Sequence, residues 1–430
     1  MKRWQKLGLG LASIVMGLTL GACSNSGSSS SGSKSKEVSI NVFQFKVEFR
    51  KQFKEAAKEY EKNHPNVKIN ITTVGGGSDY GAALKSKFQS GNEPNIFNIG
   101  GPEDMKTWKK YLADVSDTKA AKSAMSGTLD AVKDGKQVLG LPYDLEGIGM
   151  VYNKAIFKKA GIDASQIKTL DDLETAAKKL DSMKSELGID AAFAYPAKET
   201  WVTGLHSSNP FLALEFNNDV NKTFKSNNVS FKYGKEFKRY VDIENKYSVQ
   251  PTNSLDYSTQ IEKLFANGKV AMAEQGNWIY PTVSGIDQKL ADNDMDMFPI
   301  PVTKKTEGKL PVGVPNYWAV NKNASSAEVK ASKDFLDWLY TSKKGKDLVL
   351  NKFKFVPAFK GYDTSKIQDP LSRTTYKYYQ EGKTTGWVFM GYPTNWGMNV
   401  LGTEIQKYVA GKTTWSELEK TSKAQWTATR

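Results

Sequence analysis

The stretch EVSINVFQFKVEFRKQFKEAAKEYEKNHPNVKINITTV, residues 37–74, combines three segments with two different hydrophobic periods. Its first and last segments alternate apolar and polar residues and are rich in β-branched side chains, which is typical of strands. The middle segment places apolar residues at helical spacing: Phe49, Phe53, Ala56, Ala57 and Tyr60. Pro65 ends this helical pattern. A strand, a helix and a strand in one short stretch predict a right-handed βαβ unit with parallel strands.

Similar patterns follow along the chain. Short apolar runs such as NIFNIGG (residues 95–101) and KVAMAEQGNWIY (residues 269–280) predict further strands. The run TLDDLETAAKKLDS (residues 169–182) predicts a helix that begins with a capping box made by Thr169 and Asp172. Strands that alternate with helices predict an α/β fold, and the length of 430 residues is enough for two or three domains.

The N-terminus has the pattern of a secretory signal. A basic segment, MKRWQK, precedes 14 mostly apolar residues, Leu7 to Leu20, which are too few to span a membrane as a stable helix. The run LGAC then ends at Cys23, the only cysteine, and resembles a bacterial lipobox, in which the signal is cut before a cysteine that becomes diacylated. Cleavage that leaves a free thiol is the alternative.

We therefore expect a signal peptide at residues 1–22 and, at residues 23–36, a lipidated Cys23 followed by a flexible Ser/Gly tether. Two acyl chains are enough for stable anchoring. The body of the protein would then work at the extracellular face of the cell membrane.

Composition argues against several function classes. The chain has 60 Lys and Arg against 46 Asp and Glu, a net charge of +14, but its basic residues form no dense run with interleaved aromatics. Nucleic acid is therefore not an expected partner. Two histidines and one cysteine offer almost no zinc ligands, and the motifs HExxH, GxSxG and the Walker loop are absent from the sequence. We expect no metal, no cofactor and no catalytic residue, although carboxylate pairs leave a glycosidase as an alternative.

Aromatic side chains are concentrated in stretches that have the composition of loops. The stretch GWVFMGYPTNWG, residues 386–397, holds its rings among glycines, a proline and an asparagine. Further tryptophans in such contexts are Trp201, Trp278 and Trp318. Any one of them can be a core residue, but several together indicate a lined cleft. Because a sugar ring has an apolar C–H face and a rim of hydroxyls, aromatic plates near carboxylates and amides predict a carbohydrate site.

Several segments, taken in order, resemble one known family. They are the lipobox, FQFKVEFRKQFKEAAKEYEKNHPNVKINI (residues 43–71), LPYDLEGIGMVYNKAIFKKAGI (residues 141–162), NGKVAMAEQGNWIYPTV (residues 267–283) and GVPNYWAVNKNASSAEVKASKDFLDWLYTSKKG (residues 313–345). The resemblance is to the extracellular solute-binding lipoproteins of carbohydrate ABC importers, typified by maltose-binding protein. The FQFK opening and the late GWVF…TNWG stretch look most like members that take up raffinose-type or isomalto-type oligosaccharides.

This resemblance implies a two-lobe periplasmic-binding-protein-like fold of type II, with the ligand cleft between lobes joined by a hinge. The first lobe would comprise residues 37–147 and 314–362, and the second lobe residues 148–313 and 363–430. It further implies a monomer, not an enzyme, that captures a raffinose-family, isomalto- or fructo-oligosaccharide and delivers it to permease subunits with a cytoplasmic ATPase. A non-sugar solute, such as a peptide or a polyamine, is the main alternative, and a lipid-anchored glycosidase is a weaker one.

The resemblance also carries over candidate ligand-binding residues. Glu146 stands just before the GMVYN strand, where the family often has an acid that contacts sugar, and Trp278 matches the family's NGPW-like turn. The full set contains polar residues from loops at strand ends and aromatic plates: Lys46, Glu48, Glu103, Asp104, Asp144, Glu146, Trp201, Trp278, Asn316, Trp387, Tyr392 and Trp396.

Overall fold

The computed structural model describes residues 37–74, 80–303 and 308–430, with the side chain of Glu48 left out. The predicted signal peptide, Cys23 and the tether therefore lie outside the described residues. Within those ranges, no helix has the length and apolar character needed to cross a membrane.

The described residues form strands and helices in alternation. The strands are β1 (Val38–Gln44), β2 (Val67–Thr73), β3 (Ile96–Ile99), β4 (Lys133–Asp134), β5 (Gln137–Val138), β6 (Leu141–Pro142), β7 (Glu146–Asn153), β8 (Ala191–Phe193), β9 (Val270–Gly276), β10 (Met295–Phe298), β11 (Leu310–Gly313), β12 (Tyr317–Val320) and β13 (Thr384–Thr385). The α-helices of the first half are α1 (Arg50–Asn63), α2 (Tyr80–Gln89), α3 (Pro102–Trp108), α4 (Lys119–Ser123), α5 (Lys154–Lys159), α6 (Leu170–Ser182), α7 (Lys184–Leu187) and α8 (Asn209–Glu215). Those of the second half are α9 (Val220–Lys225), α10 (Gly234–Lys246), α11 (Tyr280–Ser284), α12 (Ser326–Thr341), α13 (Lys343–Asn351), α14 (Pro370–Gln380), α15 (Thr403–Val409) and α16 (Trp415–Thr429).

The opening βαβ unit is confirmed. Strands β1 and β2 pair in parallel, with Val38 opposite Val67, and α1 lies between them in the sequence. The predicted apolar stripe of α1 is buried, and Phe53 and Tyr60 are almost inaccessible to solvent. The capping box of α6 is confirmed too, because Thr169 and Asp172 each accept a hydrogen bond from the other's backbone N–H.

The first sheet has the strand order β2-β1-β3-β12-β6. Its first three strands are parallel, as the sequence predicts, whereas β12 runs antiparallel to both β3 and β6. Strand β12 comes from a part of the chain more than two hundred residues after β3, so the two are brought together only by tertiary packing. The elements packed around this sheet form the first lobe.

The second sheet has the order β13-β11-β7-β9-β8, and β10 pairs with the far end of β7. The elements packed around it form the second lobe, and helix α14 lies against β7, β10 and β11. Buried apolar residues divide into two clusters, one centred on Phe53, Phe97 and Trp318 and the other on Phe193 and Trp426.

The chain passes between the sheets in short segments. It leaves the first sheet after β6 and enters the second at β7, so residues 143–145 make the first passage, and residues 314–316 make the return between β11 and β12. Gly147, the last residue of the first segment that the resemblance assigns to the first lobe, already pairs with Val312 inside the second sheet. Beyond these strand pairings, the predicted lobe boundaries stay predictions.

Candidate functional site

One edge of the first sheet collects most of the predicted polar residues. Lys46 follows the end of β1, and the segment that contains Glu103 and Asp104 follows the end of β3. Because β12 is antiparallel to β3, Asn316, just before its start, lies at this same edge. Strand β6, antiparallel to β12, ends there as well, two residues before Asp144. The topology thus brings together residues that are up to 270 positions apart in the sequence.

A buried ion pair connects this edge to the second sheet. The Nζ atom of Lys46 lies 2.7 Å from Oε1 of Glu146, the first residue of β7. The two side chains are only 11% and 5% exposed. A pair so far removed from water is held together strongly, because separating the charges would leave each one poorly solvated. Glu146 and Asp144 also line a narrow pocket beside Trp278.

An aromatic group surrounds His206, which sequence reasoning did not select. The ring centroid of His206 lies 5.1 Å from that of Trp201, 5.2 Å from Trp278, 6.1 Å from Trp387 and 5.6 Å from Phe389. We call these five residues the ring cluster. The structure thus brings together three of the predicted plates, Trp201, Trp278 and Trp387.

The ring cluster contains polar atoms that the protein itself does not satisfy. Within the described part of the chain, no hydrogen-bond partner reaches Nδ1 of His206 or Nε1 of Trp387, and both atoms are buried. Burial, together with the charge of nearby Lys46, lowers the pKa of His206 to about 3. The imidazole is therefore neutral at physiological pH, so it offers one donor and one acceptor.

The two remaining tryptophans of the ring cluster are oriented by neighbouring side chains. The indole N–H of Trp278 donates to Oε1 of Gln275 at 2.9 Å, and that of Trp201 donates to Oε2 of Glu199 at 2.8 Å. The ring of Trp387, the third tryptophan, packs directly on the backbone at Gly313. Only glycine allows this approach, since a Cβ atom at Gly313 would lie 2.4 Å from Cγ of Trp387. Both anchored indoles are only partly buried, so they keep surface free for a ligand.

A second buried polar group lies behind the ring cluster. Ser207, the neighbour of His206, donates its hydroxyl to Glu274 of β9, and Tyr240 donates to Oε1 of Glu244 at 2.8 Å. Burial raises the pKa of Glu244 to about 8. Burial, and then the nearby charge of Glu244, raises the pKa of Glu274 as well. The carboxyl groups therefore favour the neutral form, because burial penalises the charged form.

Glu103 and Asp104 have protein partners. Oε1 of Glu103 accepts from the Thr394 hydroxyl at 2.7 Å, and its Oε2 lies 3.4 Å from Nη1 of Arg430, so Glu103 contacts the second lobe. Oδ2 of Asp104 accepts from the Gly100 N–H at 2.6 Å, and burial raises the pKa of Asp104. These contacts indicate that Glu103 joins the lobes and that Asp104 shapes its own loop.

Asn316 is the predicted polar residue whose hydrogen-bonding groups are most clearly unsatisfied. Its side chain is 2% exposed, and neither its Oδ1 nor its Nδ2 has a hydrogen-bond partner in the described ranges. A buried amide without partners is costly, because its atoms have lost water without replacement. The role predicted for Glu48 concerns a side chain outside the described residues.

Three aromatic residues from the sequence analysis are core residues in the structure. Trp396 is fully buried, donates its indole N–H to the Ser422 carbonyl at 2.8 Å and packs edge-on against Trp426. Tyr392 is 4% exposed and lies 3.1 Å from the Ser208 hydroxyl, and Trp318 stacks on Tyr143. The predictions of Trp396 and Tyr392 as ligand plates are therefore corrected. The reason is that GWVFMGYPTNWG folds into helical turns instead of forming an open loop: the turn over residues 388–391 packs against α9, and the turn that begins at Trp396 packs against α16.

The position of His206 beside Trp201 results from a turn that its local sequence does not indicate. His206 stands five residues after Trp201, and residues 202–206 form a wide helical turn that places the two side chains together. Among the described residues, no group of three or more histidine, cysteine or acidic side chains is arranged to hold a metal ion. The site therefore consists of rings, amides and one buried ion pair.

The sequence of the chain is similar to the sequences of known proteins. Residues 46–346 match the family model described as bacterial extracellular solute-binding protein. The chain belongs to this family. Its members bind a solute outside the cell without converting it. The chain is 25% identical over 358 residues to the multiple sugar-binding protein of Streptococcus mutans, a match that covers 80% of each protein.

Solved structures of other binding proteins have the same fold. The solute-binding protein RafE in complex with raffinose superposes with a TM-score of 0.74 at 18% identity, over 91% of this chain and 99% of that one. A chitin oligosaccharide binding protein superposes with a TM-score of 0.76 at 20% identity, with coverage of 91% and 99%. These likenesses show a two-lobe α/β binding-protein fold.

Proposed function

We propose that this solute-binding protein is the sugar-binding component of an ABC importer and that its solute is an oligosaccharide of the raffinose, isomalto or fructo type. The ring cluster carries the proposal. Flat indole faces match the C–H faces of sugar rings, while buried polar atoms beside them match hydroxyls. The names of the compared proteins, which refer to multiple sugars, raffinose and chitin oligosaccharide, agree with this solute class.

Binding would use the residues in distinct ways. Trp278 and Trp201, fixed by Gln275 and Glu199, would stack on sugar rings. Neutral His206 would form one hydrogen bond with a sugar hydroxyl, and a carboxylate such as Glu146 would accept a hydrogen bond from another hydroxyl. Hydroxyl groups are good partners here, because they both donate and accept. A strongly cationic solute would instead require several converging carboxylates, and Lys46 places a positive charge in this region.

Closure of the lobes would follow from the same contacts. The solute would contact the first lobe through Lys46 and Asn316 and the second lobe through the ring cluster. A solute that bridges both lobes favours the closed arrangement by its differential affinity for that state. The closed protein would then deliver the solute to permease subunits powered by a cytoplasmic ATPase.

Anchoring through Cys23 completes the proposal. A diacylated cysteine followed by the tether would keep the protein at the extracellular face of the membrane. The Cys23→Ser variant should be released from the membrane fraction into the medium. Absence of acyl chains on Cys23 of the unmodified protein, by mass spectrometry, would contradict lipid anchoring without affecting the proposal on the solute.

Calorimetric titration of residues 24–430 tests the solute class. Raffinose, stachyose, panose, isomaltotriose, kestose, maltotriose and spermidine would be compared, with chromatography of the sugar afterwards. We expect saturable binding of one oligosaccharide series with the sugar recovered intact. Saturation by spermidine alone would support a polyamine binder, and released monosaccharide would support a glycosidase; either result would contradict the proposal.

A further inference from the structure

Two buried glutamines connect Trp278 to the backbone of the second lobe. The indole N–H donates to Oε1 of Gln275 at 2.9 Å, and Nε2 of Gln275 donates to Oε1 of Gln260 at 2.8 Å. Nε2 of Gln260 donates in turn to the Ala194 carbonyl at 2.9 Å and to the Glu274 carbonyl at 3.3 Å. Both glutamines are fully buried. We call this series of hydrogen bonds the amide relay.

The amide relay can run in only one direction. An indole N–H can only donate, so the carbonyl oxygen of Gln275 must face Trp278 and its NH2 group must face Gln260. At the other end, the two backbone carbonyls can only accept, so the NH2 group of Gln260 must face them. Turning either side-chain amide over would place donor against donor and acceptor against acceptor. The two ends therefore impose one orientation on both amides.

The amide relay and a close backbone contact hold the ring from two sides. Gln275 lies near the end of β9, and Gln260 lies on a helical segment that packs against β9. The ring of Trp278 folds back over the end of the same strand, where a Cβ atom at Gly276 would lie 2.1 Å from its Cζ3 atom. The orientation of the ring is therefore determined within the second lobe.

The amide relay also determines what Trp278 offers to a solute. Its N–H group is used within the protein, so the exposed part of this half-buried side chain offers a ring face and no hydrogen-bond donor. A side chain that is free to rotate loses this freedom when a ligand packs on it, and the loss weakens binding. A ring that is already fixed avoids this cost.

We propose that Gln260 is a positioning residue of the sugar site, because it fixes Gln275 and thereby the orientation of Trp278 before the sugar binds. This inference rests on the proposed sugar-binding function. Gln260 is fully buried, so it acts on the sugar only through the other two side chains. The oxygen atom that it presents to Gln275 is the feature on which this role depends.

Two substitutions of Gln260 separate positioning from stability. Gln260→Met keeps the length of the side chain but removes the acceptor for Gln275, whereas Gln260→Glu keeps an oxygen there whether or not its carboxyl is protonated. We expect the affinity for raffinose, or for the oligosaccharide of the calorimetric series that binds most tightly, to fall about fivefold in Gln260→Met, the cost of ordering one free side chain. In Gln260→Glu it should stay within about twofold. Urea unfolding should show that both variants are less stable, because each loses hydrogen bonds to the backbone carbonyls.

Nitrogen-15 spectra of the indole groups test the amide relay without sugar. The resonance of Trp278 is identified by its absence in Trp278→Phe. Its N–H should exchange with solvent about tenfold more slowly in the unmodified protein and in Gln260→Glu than in Gln260→Met, the effect of losing one buried hydrogen bond. Rapid exchange in the unmodified protein would overturn the inference even if no variant of Gln260 folded.

Trp278→Phe also provides a second background, because phenylalanine keeps an aromatic face but has no N–H group. In this background, Gln260→Met should not lower the affinity further. Leu180→Ala is the control for stability, because Leu180 is a buried residue of α6 in the same lobe and takes no part in the amide relay. It should lower the free energy of unfolding and leave the affinity within about twofold.

Two results would overturn the inference while sugar binding itself stands. One is an equal loss of affinity in Gln260→Met and Gln260→Glu, which would mean that the acceptor for Gln275 is not what matters. The other is a further loss when Gln260→Met is added to Trp278→Phe, which would mean that Gln260 does not act through the indole N–H. Absence of binding by every saccharide would instead refute the proposed function, and this inference with it.

Discussion

Nζ of Lys46 lies 2.7 Å from Oε1 of Glu146, and this contact joins the end of the first strand of one sheet to the beginning of a central strand of the other. The pair is therefore both a connection between lobes and a component of the proposed site. Its charges are partly compensated by each other before any solute arrives.

Removal of one partner should be more harmful than removal of both. We expect Lys46→Met to lower the free energy of unfolding by about 3 kcal/mol, because Glu146 would keep a buried charge without its cation. The double variant Lys46→Met with Glu146→Gln should recover most of that loss. Urea unfolding without sugar measures both values. Additive losses in the double variant would show that the two side chains act independently.

Tryptophan variants should distinguish a residue that binds the sugar from a residue that stabilises the core. Trp278→Ala should weaken sugar binding by about 1–4 kcal/mol, as expected for a central aromatic contact. Trp396→Ala should instead lower the free energy of unfolding by about 3–5 kcal/mol, because it leaves a cavity in the second lobe. Calorimetry and urea unfolding on the same two variants make the comparison. Unchanged affinity in Trp278→Ala would remove that residue from the site.

The buried carboxyl groups predict a dependence of stability on pH. The pKa of Glu244 is raised by burial from 4.5 to about 8, so the folded state binds a proton that the unfolded state releases. This contribution is complete below pH 4.5 and is lost as pH rises towards 8. Glu244→Gln should therefore flatten the fall in unfolding free energy between pH 5 and pH 8, by on the order of 2 kcal/mol.

Urea midpoints at several pH values in that window, with the exposed Glu186→Gln as control, measure this effect. The control should retain the slope of the unmodified protein. An identical slope in Glu244→Gln would mean that Glu244 is ionised in the folded protein.

The contact between Glu103 and Arg430 should favour the closed arrangement. The two side chains are 18% and 9% exposed, and Thr394 adds a second contact from the same lobe. We expect Arg430→Gln to shift the protein towards an open form and to weaken sugar binding about fivefold, the size expected of a partly exposed ion pair. Small-angle scattering with and without sugar follows the shift, and Lys412→Gln at an exposed position is the control. Unchanged scattering and affinity would show that the contact between Glu103 and Arg430 affects neither closure nor sugar binding.

Local patterns were sufficient for much of the fold. The alternation in β1 and β2, the apolar stripe of α1 and the capping box of α6 depend on neighbours in sequence, and all three were predicted correctly. The antiparallel insertion of β12 next to β3 was not predictable in this way, because it depends on contacts between distant parts of the chain.

The candidate site shows the same division. Trp387 and Trp396 stand in one stretch with the same kinds of neighbours, yet Trp387 belongs to the ring cluster and Trp396 packs against Trp426 of α16. The difference arises from Trp426, thirty residues further along, which no local pattern reveals. His206 was missed because a single histidine in a loop-like segment has no distinguishing spacing until its turn brings it beside Trp201.

The lack of hydrogen-bond partners for the Asn316 amide has a consequence for the binding of deoxy sugars. A hydroxyl that pairs with this buried side chain cannot be removed from the solute without leaving the amide dehydrated and unsatisfied, at a cost of about 1–3 kcal/mol. Loss of one oxygen atom would then reduce affinity by about 5- to 150-fold, whereas a change at a solvent-facing carbon would have little effect. The protein would therefore recognise its solute partly by rejecting near-identical molecules that lack one hydroxyl.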